Sequence, residues 1–166
     1  MKKVFFVSLF ILSFISTVAF AQAAGDYRSN VTGAASLWSA ASSWETYDGA
    51  NWSAASTPPT ATANVTIVAE DSLILDVDAT FATLTLEEPS QLYMSTPRTL
   101  NGDLIIHGAF AVSGGITITV SGNVTCSGPN AQLKFSSNSG HIQGVIGKVF
   151  TLSNGAILTT STNSTI

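Results

Sequence analysis

The stretch NVTIVAEDSLILDVDATFATLTL, residues 64–86, decides how this chain is read. Two short apolar runs, Val65-Thr66-Ile67 and Leu73-Ile74-Leu75, are followed by a third, Leu84-Thr85-Leu86, that copies the first. β-branched and apolar residues alternate with Thr and Asn, which is the period-two signature of short strands. Working outward, the first run recurs as Leu104-Ile105-Ile106 and Val124-Thr125-Cys126, so the starts lie 19, 20 and 20 residues apart. The second run recurs as Leu92-Tyr93-Met94, Phe110-Ala111-Val112 and Leu133-Lys134-Phe135. Helical spacing is not sustained anywhere after the first residues.

A fixed period near 20 residues indicates stacked supersecondary units, each unable to bury its apolar face alone. Leucine-rich repeats share the period but require a Leu/Asn consensus that is absent here. The expected architecture is therefore all-β: a right-handed parallel β-helix of about 20 residues per coil, with two or three strands in each. A β-sandwich is the alternative that short strands at 8–12-residue spacing also permit. After Phe135 the register loosens, with further strands expected at 141–144, 149–152 and 156–158. No capping end is visible in the sequence, and repeat folds require one. The 61–166 region is accordingly expected to be truncated at its C-terminus and to belong to a longer chain.

Composition agrees. The chain is 45% hydrophobic but only 10% charged, and 22 Ser with 20 Thr take the place of the missing charges. Average domains carry about 25% charge. Long helical and coiled-coil classes are excluded by the shortage of Glu and Lys. Six bases against ten acids exclude an electrostatic nucleic-acid surface. A single Cys excludes a disulfide scaffold.

Residues 1–23 have the layout of a secretory signal peptide. Lys2 and Lys3 precede an uncharged run from Val4 to Phe20, and Ala21-Gln22-Ala23 supplies the small-x-small cleavage pattern. Cleavage after Ala23 leaves four bases against ten acids, a net charge of −6, and no second apolar run long enough to span a bilayer. The expected location is extracellular or the outer cell surface. Residues 24–60 then form a module that holds all three Trp and ends at Pro58-Pro59.

That module carries a resemblance. Tyr27-Arg28-Ser29, Gly33, Trp38, Trp44-Glu45, Gly49, Trp52, Pro58 and Val65-Thr66-Ile67 follow the pattern that opens large secreted and surface β-helix proteins of Bacteroidota. The segment 101–104 and Phe150-Thr151-Leu152 with Gly155-Ala156 resemble the same family. The resemblance implies a protein exported across both membranes, often by the type IX system, with a mostly adhesin-like or unassigned function. It supplies no catalytic residues to carry over.

Each candidate site has a competing structural role. Trp38, Trp44, Tyr47 and Trp52 could form a glycan-stacking platform, because flat aromatic faces suit the apolar faces of sugars. The competing expectation is a cap over the open first coil, with Trp44 and Trp52 on either side of a turn at Asp48-Gly49. No cofactor is expected; the alternative is Ca²⁺, for which Asp71, Asp76 and Asp78 are the candidate ligands. The same acids would serve a polysaccharide lyase or hydrolase, with Arg98 or Lys134 to meet uronate carboxylates. Their competing role is an exposed, solubilising face.

His107 and His141 are isolated, and Cys126 sits at an apolar strand position, which reads as a buried inert thiol. Asp71-Ser72-Leu73 fits an O-glycosylation site at Ser72. Expected partners are extracellular glycans or other surface proteins, not nucleic acid. The leading reading is a structural, adhesin-like β-helix. The alternatives are a fragment of a polysaccharide-active enzyme or a carbohydrate-binding module.

Overall fold

A computed structural model describes residues 22–31, 35–113, 116–136, 142–146, 148–160 and 164–165. The leader expected at 1–23, apart from Gln22 and Ala23, lies outside the described residues, as do Gly33 and His141. The described chain is a parallel β-helix of about four turns set roughly 20 residues apart, as the period predicts. Its only helical turn is the short 3-10 element Ala41–Ser43.

Each coil has three sides, and each side stacks into a parallel ladder. The first runs through Asn64–Ile67, the second half of Ala79–Leu86, the second half of Arg98–Ile106, Val124–Ser127 and Phe150–Ser153. The second runs through Ser72–Ile74, Gln91–Met94, Ala109–Ser113, Gln132–Ser136 and Ile157–Thr160. The third joins the first halves of Ala79–Leu86 and Arg98–Ile106 to Thr117–Val120 and Ile142–Ile146. Ala79–Leu86 and Arg98–Ile106 thus bend round one corner without a break, with a register shift between Thr80 and Thr83.

Alternation places every second residue inside. On the first side Val65, Leu84, Leu104 and Val124 form one inward column, and Ile67, Leu86, Ile106 and Cys126 the next. Leu73, Leu92, Phe110 and Leu133 line the second side, and Leu100 and Val120 the third. Burying each such side chain contributes about 1.5–3 kcal/mol, which makes these columns the main source of stability.

The bend round the corner requires small residues. A Cβ on Gly122 would lie 2.2 Å from the Gly102 carbonyl oxygen, and one on Gly102 would lie 2.3 Å from the Phe81 carbonyl oxygen. Gly102 also has φ +146°, a conformation that L side chains rarely adopt.

The N-terminal module closes the first coil. Tyr27–Ser29 pairs in parallel with Asn64–Ile67 and antiparallel with Trp44–Tyr47, which pairs in turn with Trp52–Ala54. Trp44–Tyr47 and Trp52–Ala54 form the expected hairpin, with Tyr47 opposite Trp52 and Gly49 at φ +103° in the turn. Asp48 Oδ1 accepts from the Ala50 and Asn51 amides and ties that turn. Ser36–Leu37 extends the second ladder beside Ser72–Ile74. The module therefore pairs the first-coil edges of the first and second ladders, which would otherwise be open to another strand.

Candidate functional site

The structure divides the four aromatic candidates. Trp38 and Trp44 are buried, 2% and 1% exposed, and meet edge to face at 4.9 Å between ring centroids. Trp44 Nε1 donates to the Trp38 carbonyl at 2.8 Å, and the Trp38 ring lies 6.0 Å from that of Phe81. They plug the mouth of the solenoid and cannot stack on a sugar, which corrects the platform expectation for these two residues. Tyr47 and Trp52 stay half-buried as a tilted pair at 5.2 Å. The Arg28 guanidinium lies 4.6 Å from the Trp52 ring centroid, and its Nη2 pairs with Glu45 at 2.6 Å. That cation occupies the Trp52 ring, so the four aromatics do not present one open platform.

The acids separate in the same way. Asp71 is 7% exposed and accepts from the Val31 amide at 3.2 Å. Asp76 accepts from the Ser39 amide at 3.0 Å and the Ser39 hydroxyl at 2.5 Å. Asp78 accepts from the Thr99 amide at 2.9 Å. Each carboxylate thus caps a different backbone N–H, and no group of three or more metal-ligating side chains forms among the described residues. The three candidate Ca²⁺ ligands are thus not brought together but act as separate staples, and Asp71 is buried rather than part of an exposed, solubilising face. Burial pushes Asp76 upward, but its bonds from Ser39 outweigh that and, with help from Arg98, hold it below the ordinary carboxylate range. Ser72 lies on the outward face of the second ladder, half-buried and level with Gln91. His107 Nδ1 is bonded to the Ser127 carbonyl at 2.7 Å.

Cys126 is fully buried, and desolvation raises its thiol pKa. A thiol-reactive disulfide reagent is expected to leave the native protein unmodified and to label one equivalent after denaturation. Rapid labelling of native protein would contradict this burial.

Two recesses open on the sides of the solenoid. On the first side, one of about 270 Å³ is lined by Thr83, Asp103, Ile105, Asn123, Thr125 and Thr151. Its carboxylate is already engaged: Asp103 accepts from the Asn123 amide at 2.8 Å and from Asn123 Nδ2 at 3.2 Å. These two bonds, in that order, hold Asp103 below the ordinary carboxylate range. A group whose pKa is depressed on folding adds stability above its unfolded pKa of about 3.9 and loses it as pH falls through the folded value. The thermal midpoint is thus expected to drop as pH falls below about 4, with a smaller drop in Asp103→Asn. A midpoint indifferent to acid would contradict this.

The second recess, of about 210 Å³, is built by register. On the outer face of the second ladder Gln91, Ala109 and Gln132 form one column, and Tyr93, Ala111 and Lys134 the next. The middle rung is alanine, between two rungs of long side chains. With rungs about 4.8 Å apart, the missing side chains leave a slot about 9–10 Å between flanking backbones. Gly108 and Ala109 form its floor, Gln91 one wall, and Gln132 with Lys134 the other; Ala111 and Tyr93 continue the same two rungs just beyond it. Glu88, Pro89, Ser90 and Asn130 close one end.

Tyr93 is 42% exposed, and its hydroxyl donates to Gln91 Oε1, which leaves the Gln91 amide N–H groups as donors. Asn130 Nδ2 donates to Glu88 Oε1. The Ser90 hydroxyl is buried in the end wall without a hydrogen-bond partner. Aligning the runs around Tyr93, Ala111 and Lys134 already places them in one column, but small residues carry no signal of their own in such an alignment.

The chain matches no protein-family model, no curated protein and no solved structure. Among the described residues, no helix is long and apolar enough to cross a membrane.

Proposed function

We propose that the protein is a secreted or cell-surface β-helix that contacts glycans and has no catalytic role of its own. The observation that carries this reading is the alanine-floored slot beside Tyr93. A flat ring, two side-chain amides and a shallow polar trough are what one residue of a saccharide chain requires of a binding surface. The volume falls below the roughly 300–1,000 Å³ of enclosed small-molecule pockets, which suits a chain lying across the side of the solenoid. The order of residues 1–23 supports export, and the resemblance to Bacteroidota surface proteins supports the type IX route and an adhesin-like role. Each recess carries one carboxylate, Glu88 or Asp103, whereas glycoside hydrolysis ordinarily uses two facing acids.

The test is a glycan array probed with the purified protein and with Ala109→Leu. Ala109 points outward, so leucine fills the slot and leaves the core unchanged. Binding to at least one glycan, lost in the variant at an unchanged melting temperature, is the expected result. Binding indifferent to Ala109→Leu, no glycan bound at all, or release of new reducing ends from a bound glycan would overturn the proposal.

A further inference from the structure

We propose that the slot selects acidic saccharides, its occupant being a uronate-type pyranose whose carboxylate meets Lys134. The inference rests on the glycan-contacting reading above and names the ligand class of the same slot. Lys134 is exposed on the slot wall and has no ion-pair partner among the described residues; the Arg28–Glu45 pair lies in the N-terminal module. The nearest carboxylate in the lining, Glu88, is bonded by Asn130 at the closed end. The slot is therefore polarised, with an anion at the end wall and an uncommitted cation on the side wall.

Across the floor from Lys134 stands the Tyr93 ring, one rung to the other side of Ala111. A pyranose with its C–H face on Tyr93 directs its equatorial substituents toward the Gln132–Lys134 rung. Hydroxyl groups find the Gln91 and Gln132 amides, and an exocyclic carboxylate finds the ammonium. Elsewhere the surface is acidic: after the expected leader, four bases face ten acids. A polyanion is thus repelled by most of the surface and accepted at one point, so short acidic oligosaccharides are the matching ligands.

The test compares an oligogalacturonate with its fully methyl-esterified counterpart, which removes the charge and keeps the ring, by titration calorimetry on the full chain. The acid is expected to bind about tenfold or more tightly than the ester, and to weaken as salt is raised. Lys134→Gln is expected to erase that preference by weakening the acid to the level of the ester. Tyr93→Ala is expected to weaken both ligands alike. Equal binding of acid and ester, or an acid preference that survives Lys134→Gln, overturns the acidic selectivity and leaves glycan contact standing. Failure of both oligosaccharides while other array glycans bind in a slot-dependent manner overturns it as well. The absence of any glycan binding, or glycan binding indifferent to Ala109→Leu, removes the underlying reading too.

Discussion

Trp44→Ala is expected to destabilise the protein by about 3–5 kcal/mol, the usual cost of removing a large buried aromatic side chain. Trp44 is among the largest fully buried side chains, and it does two things at once. Its ring fills the mouth of the first coil against Trp38, and its Nε1 satisfies the Trp38 carbonyl. Truncation opens a cavity and strands a buried acceptor, and the two costs add. Because a solenoid is stabilised coil by coil, the loss should begin at the N-terminal end. Chemical denaturation followed by near-ultraviolet circular dichroism should show an early transition of the aromatic signal. Trp44→Phe should recover part of the packing without the hydrogen bond. A denaturation midpoint within error of the parent protein would show that the module does not cap the coil.

Gly122→Ala is the second large effect. The new Cβ would sit 2.2 Å from the Gly102 carbonyl oxygen and 2.4 Å from Asp103 Oδ1. The first of these is backbone and cannot swing aside, so two successive corners must separate. That overpacking should cost about 3 kcal/mol or more, at the upper end of such substitutions. It would also disturb the Asp103–Asn123 staple beside it. Ser121→Ala, one residue away at an exposed position, serves as the control and should stay within about 0.5 kcal/mol. Equal thermal midpoints for the two variants would refute the close approach of the corners.

Much of this architecture is legible in residues 64–86 and their echoes. The inward columns that begin at Val65 and Leu73 repeat because every coil must bury the same two positions against its neighbours. The third side was harder to read. Ala79-Thr80-Phe81 and Arg98-Thr99-Leu100 are short and mixed, and they merge with the first side through continuous strands. The roles of Trp38 and Trp44 could not be fixed from composition, because an aromatic ring suits a cap and a sugar platform equally well. Burial alone separates the two. Asp71, Asp76 and Asp78 look like a cluster along the chain, but their partners Val31, Ser39 and Thr99 come from other coils and from the module. The slot was hidden for another reason: it is made by what Ala109 and Ala111 lack, and small residues give no signal of their own.

In this molecule odd and even positions of one strand are governed by separate pressures. Phe110 and Val112 answer to the core, while Ala109 and Ala111 answer only to whatever lies outside. Exchanging an outward alanine for a larger side chain closes a trough, and shortening an outward Gln or Lys on another rung opens one, with the inward columns untouched. A lineage carrying this scaffold can thus relocate, widen or abolish a lateral contact by single substitutions at almost no cost to folding. The recognition surface is free to change at the pace of what it touches, and the columns inside can stay as they are.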